Sequence, residues 1–219
     1  MIALKRKVKK ITFSIKKKGL YYISMKNMDA VRDKPNELWS KDYISLMIAN
    51  FFLFFAGCLL LPVLPVALKQ SGVNDFQIGV VAAVFYVTSM LMRTFTSRVS
   101  ARIGKKTLLL LAMVVFTFSM VGYYLFAGLT MIIILRLVQG LGFGASTTLY
   151  GSTVASTIPN ERMGEGMGYF GLGISLAYVL GPCLGAAAVS QTHFQWVFLA
   201  AALLALISIL LTRFIKADH

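Results

Sequence analysis

Residues 132–146 read IIILRLVQGLGFGAS. The run is apolar enough to lie in lipid, yet it carries Arg136, then Gln139 three residues on, then glycines at 140, 142 and 144. A charge at the centre of a membrane helix costs roughly 2.5–3.5 kcal/mol on insertion scales. Arg136 and Gln139 lie one helical turn apart and share a face. That face must turn toward the interior of a bundle or a wetted cavity, because lipid excludes it. Gly140 and Gly144 form a small-xxx-small pair, which permits close approach of another helix. The stretch predicts a membrane helix bundle that holds a charged group inside.

Composition points the same way. The chain has 219 residues, 58% of them hydrophobic, with mean hydropathy +0.75, which is too apolar for a soluble domain. All eight acids (Asp29, Asp33, Glu37, Asp42, Asp75, Glu161, Glu165 and Asp218) lie outside the apolar runs or at their edges. Net charge is +14, and residues 1–42 alone hold 12 Lys/Arg against four acids. So high a pI is a mark of nucleic-acid binding proteins, but here the apolar runs make a membrane surface the better reading of the charge. Cys58 and Cys183 both sit in apolar runs, so neither a disulfide framework nor metal-ligand spacing is present. His193 and His219 are far apart, and neither stands near a Ser or Cys in a catalytic setting. The spans lack the His, Asp or Cys clusters that enzyme chemistry needs. No enzyme activity, cofactor or metal is expected.

A bilayer core is spanned by about 20 helical residues. Six stretches meet or approach this: 43–68, 76–97, 107–127, 129–156, 164–190 and 194–215. Breakers and charges separate them. The linker KQSGVND (69–75) opens a capping-box-like pattern, with Gln77 three residues after Asn74. SRVSARIGKK (97–106) is strongly basic, FAGLT (126–130) is a tight uncharged turn, TIPNERMGEG (157–166) is polar, and QTHFQ (191–195) is short. The basic linkers alternate with linkers that hold only Lys69, so positive charge places both termini, including 216–219, in the cytoplasm of a plasma-membrane protein. In the tail 1–42, Leu4, Val8, Ile11 and Ile15 share one helical face among Lys and Arg. That fits a basic amphipathic surface helix. The same tail also reads as a topogenic or misassigned leader, with Met25 and Met28 as plausible starts.

Two further patterns stand out. In SRVSARIGKKTLL (97–109), Arg98, Arg102, Lys105 and Lys106 mark a short loop, and Gly104 allows a tight turn. Spacing alone fits simple positive-inside anchoring equally well. In the segment 167–189, Gly173, Ala177, Gly181 and Gly185 repeat every four residues and make one smooth ridge. Pro182 removes a backbone donor within it. The ridge reads as pure packing, or as a close contact beside a bend that sets a gate.

In this order, these patterns resemble the major facilitator superfamily. The basic turn is similar to that family's loop between its second and third helices, commonly G-x-L-A-D-R-x-G-R-K. Arg102, Gly104, Lys105 and Lys106 match, while Ser97 replaces the first glycine and Ala101 the aspartate. Arg93 matches an arginine often seen near the end of the second helix. RLVQGLGFGA (136–145) resembles the fourth-helix motif R-x-x-Q-G-x-G-x-A through Arg136, Gln139, Gly140 and Gly142. GPCLGA (181–186) resembles the antiporter motif of the fifth helix through Gly181, Pro182 and Gly185, with alanines at 177 and 186 where glycines are usual. Pro62 and Pro65 resemble the end of the first helix in drug–proton antiporters.

The resemblance covers about residues 42–215. It implies an all-α membrane protein of six transmembrane helices, one half of a bundle with a 3+3 inverted repeat. The family's full fold has about twelve helices, with substrate held between two halves. The chain therefore looks like an amino-terminal half of an efflux-type transporter for a small organic solute or drug. It would be a truncated product, or would work with a second six-helix half or a second copy of itself. The different-class alternative is a non-transporting scaffold or regulator that uses its small-residue ridges to bind partner helices. Expected partners are the lipid bilayer and a small-molecule substrate, without nucleic acid. Cavity-lining candidates are Asn50, Tyr86, Arg136, Gln139 and Tyr150. Gating candidates are Arg93, Arg102, Gly104, Lys105, Lys106, Gly140, Gly181, Pro182 and Gly185. Family antiporters usually protonate a membrane-embedded carboxylate, but no Asp or Glu lies well inside any span here. Asn50 cannot titrate, and Arg136 stays charged.

Overall fold

A computed structural model describes residues 37–125, 128–191 and 194–215. The amphipathic reading of the basic tail and the segment 216–219 fall outside the described residues. Helix α1 runs Lys41–Gln70, α2 Asp75–Ile103, α3 Lys105–Leu125 and α4 Leu129–Thr157; after a 3-10 turn at Asn160–Arg162 come α5 Met163–Gln191 and α6 Phe194–Arg213. All six α-helices are long and apolar enough to cross a membrane. At 1.5 Å per residue, α1 extends roughly 45 Å, enough to pass through the hydrocarbon core into both headgroup layers.

Local chemistry sets the helix ends. Ser40 caps α1, accepting from the Tyr43 backbone N–H at 3.2 Å. Asn74 caps α2 in the same way, accepting from the Gln77 N–H at 2.9 Å. Lys69 and Asp75 form an exposed ion pair across the α1–α2 linker, the kind of pair that contributes little to stability. The basic segment 97–106 differs from its reading as a linker: α2 continues through Ile103, and Gly104 alone separates it from α3. Ser, Ala and Arg are compatible with helix, whereas Gly104 adopts φ +86°, which an L side chain tolerates poorly.

The helices pair in a pattern that repeats. α1 packs chiefly against α5 and α6, α4 packs chiefly against α2 and α3, and α3 meets α6. Exchanging each helix with the one three places along maps this set of contacts onto itself, as a 3+3 repeat requires. α1 and α4 are the two hubs, and they also touch each other. The outer surface is apolar: Met90, Phe118, Val179 and Leu210 are each more than half exposed. Such a surface suits hydrocarbon and would aggregate in water.

Candidate functional site

The site is built on α4, and glycine places that helix. Gly140 and Gly144 lie on one face, Gly142 on the opposite one. A Cβ on Gly140 would lie 2.8 Å from the Phe85 carbonyl oxygen of α2, and one on Gly144 would lie 2.3 Å from that of Ser89. A Cβ on Gly142 would lie 2.7 Å from the Ala112 carbonyl oxygen of α3. So α4 is clamped between two backbones, and its side chains are aimed without slack.

Arg136 is thereby held inside, 5% exposed, with Gln139 fully buried. Arg136 Nη1 donates to Gln139 Oε1 at 2.8 Å, and the Tyr123 hydroxyl of α3 donates to the same oxygen, also at 2.8 Å. Two donors on one oxygen fix the orientation of the amide. The guanidinium carbon lies 5.3 Å from the centre of the Phe85 ring and 5.9 Å from that of Tyr123, in cation–π range of both. Among the described residues, Arg136 Nε and Gln139 Nε2 find no acceptor and Asn50 Oδ1 no donor. Buried polar atoms left so cost about 1–3 kcal/mol each. Among the described residues, no carboxylate takes part in the cluster.

The other expected cavity residues fall in different places. Asn50 is buried in α1. Tyr150 is fully buried and ties three helices together. Its hydroxyl meets Ser208 Oγ at 3.2 Å, Thr212 Oγ1, and Met113 Sδ at 3.3 Å. Ser208 in turn donates to the Ala49 carbonyl at 2.6 Å. This knot joins α1, α3, α4 and α6. Tyr86 is 57% exposed, on the open face of α2 beside the buried Phe85.

Of the expected gating residues, Arg93, Arg102 and Lys105 are exposed. Lys106 is half-buried and donates from Nζ to the Ile215 carbonyl at 2.6 Å, just past the end of α6, where a cation also suits the helix dipole. Gly181 and Gly185 press on α1: a Cβ on Gly181 would lie 2.5 Å from Cys58 Cβ, and one on Gly185 would lie 2.5 Å from the Leu59 carbonyl oxygen. Pro182 lies inside α5. Sequence reasoning missed Tyr123, Ser208 and Thr212. Ser208 and Thr212 carried a signal, two small polar residues one turn apart in an apolar span; Tyr123 carried none.

The sequence profile of the Major Facilitator Superfamily matches residues 46–219. The chain belongs to that superfamily. It is 26% identical over 161 residues to the quinolone resistance protein NorA of Staphylococcus aureus, covering 73% of this chain and 42% of NorA. It is 26% identical over 171 residues to the uncharacterized MFS-type transporter Rv1250 of Mycobacterium tuberculosis, covering 78% of this chain and 30% of that protein. The fold superposes on the inward-open xylose transporter XylE of E. coli with a TM-score of 0.65 at 15% identity, covering 81% of this chain and 48% of XylE. The chain thus spans less than half the length of each of these superfamily members. It is a multi-pass integral membrane protein.

Proposed function

We propose that this chain is the amino-terminal half of an efflux-type secondary transporter for a small organic solute, set in the cell membrane with both termini cytoplasmic. The observation that carries the reading is Arg136. Among the described residues, its guanidinium is buried against two rings and one amide, without a carboxylate, and its Nε is unpartnered. A buried charge without a counter-ion does not favour folding; an apolar residue of similar volume would serve stability as well or better. Such a group is retained for what it meets in use. In transport, that is the solute or a group from a second six-helix unit across the cavity. Arg136, Gln139, Asn50 and the open face of α2 with Tyr86 would form this half's share of the wall. The turn at Gly104, tethered by Lys106, and the Gly181–Gly185 contact beside Pro182 are the places where the bundle would rock. The orientation rests on charge. Arg98, Arg102, Lys105, Lys106, Arg162 and Arg213 gather at one end, whereas Lys69 at the other is already paired.

The scaffold reading relied on free small-residue ridges. Gly181 and Gly185 are used within the chain against α1, and Gly140 and Gly144 against α2, which leaves it weaker. The name of the NorA relative makes a fluorescent quinolone the first solute to try. Reconstituted into liposomes, assemblies of two six-helix units are expected to move it, with native mass spectrometry reporting the stoichiometry. Arg136→Ala should abolish flux and leave stoichiometry unchanged. A strictly monomeric chain without flux, or an Arg136→Ala variant that alters assembly and not flux, would sink the proposal.

A further inference from the structure

At the end of the bundle opposite Gly104, a cleft of about 620 Å³ opens between the ends of α1 and α3 and the starts of α4 and α6. Arg136, Gln139, Asn50 and Tyr86 do not line it, and it shares only Tyr123 with the Arg136 cluster described above. Its size falls within the roughly 300–1,000 Å³ of clefts that hold drug-sized molecules. Tyr123, Tyr124 and Phe198 give it aromatic walls, Leu68 an apolar one, and Gln70 and Gln195 supply neutral polar groups. Among the described residues, no Asp, Glu, Lys or Arg lines it.

One wall is fixed in advance. The rings of Tyr123 and Phe198 lie 5.5 Å apart at 35°, and the Tyr123 hydroxyl is held by Gln139. A ligand there has little side-chain freedom to freeze, which favours binding. The lining also selects the ligand. Among the described lining residues, a phosphate or carboxylate would find no Lys or Arg to pair with. A sugar needs more hydrogen-bonding partners than two amides and a few hydroxyls supply. A flat uncharged ring with one or two polar atoms meets both kinds of wall.

We propose that this cleft is a second binding site and that it takes an uncharged aromatic molecule. The proposal concerns binding alone and does not depend on transport. It is tested with the chain in lipid nanodiscs, using benzophenone as an uncharged aromatic photoprobe and peptide mass spectrometry to map the adducts. Adducts are expected to concentrate in peptides covering 64–73, 123–132 and 194–198, above the level on lipid-facing Phe118 and Leu206. Leu129→Trp and, on the exposed rim, Ser71→Trp each fill the cleft and should cut those adducts at least about tenfold, leaving labelling at Phe118 and Leu206 unchanged. Two filling variants are used so that poor folding of one does not decide the result. Labelling no denser in the cleft than on the lipid-facing residues would overturn the proposal, as would cleft labelling that persists in both variants. A cleft occupied by a lipid chain would give the first of these results.

Discussion

Helices α4 and α5 are each 29 residues long and rich in glycine. Their most apolar windows have nearly the same mean hydropathy, 1.6 and 1.8, yet half of the α4 window is buried against 17% of the α5 one. Hydropathy does not separate them; the placement of small residues does. α4 carries glycines on opposite faces and is gripped by α2 and α3, while α5 carries its small residues on one ridge and leans chiefly on α1. Polar content follows the same division. α4 buries Arg136, Gln139, Ser146 and Thr153, and the open side of α5 shows Leu172, Val179 and Leu184. A helix held on two sides can carry charge at defined geometry, and one held on a single side is free to face lipid or a partner and to move.

Breaking the two-sided grip should cost most. Gly144→Leu drives a side chain into the α2 backbone and is expected to lose about 3 kcal/mol, the upper part of the overpacking range. Fluorescence-detected size exclusion should show it as loss of the monodisperse peak. Gly181→Leu makes the matching insertion on α5, where the helix can shift outward. A loss of about 1–2 kcal/mol is expected, seen as a lower thermal midpoint with the peak retained. Equal damage from the two variants would erase the distinction between the helices. Tyr150→Phe removes the hydroxyl that joins α4 to α6 and should cost about 1 kcal/mol, measured in the same melt. Tyr86→Ser, on the open face of α2, should change stability by less than about 0.5 kcal/mol; a larger drop would mean that this face is packed after all.

Much of this was legible in the sequence. Six apolar runs give six spanning helices because a bilayer admits few other structures. The spacing of Arg136 and Gln139 already placed them on one face, and the glycine pair announced a close neighbour. Periodicity could not say which neighbour. Tyr123 reads as one more aromatic in an apolar run, and only the packing of α3 on α4 brings its hydroxyl to Gln139. Tyr86 and Tyr150 look alike in sequence, and in the fold one lies on an open face and the other in a buried knot. The segment 97–106 read as a loop because charge marks the membrane boundary, whereas charge at that depth does not end a helix. Glycine with positive φ does.

On the proposed function, Arg136 is held for use and not for stability. Arg136→Met keeps the volume and removes the charge, so one variant, studied in two assays, tests that directly. The thermal midpoint should stay level or rise, because an unneutralised buried charge is gone, while quinolone flux from two-unit assemblies disappears. A variant that unfolds, or one that melts normally and still transports, would contradict the account.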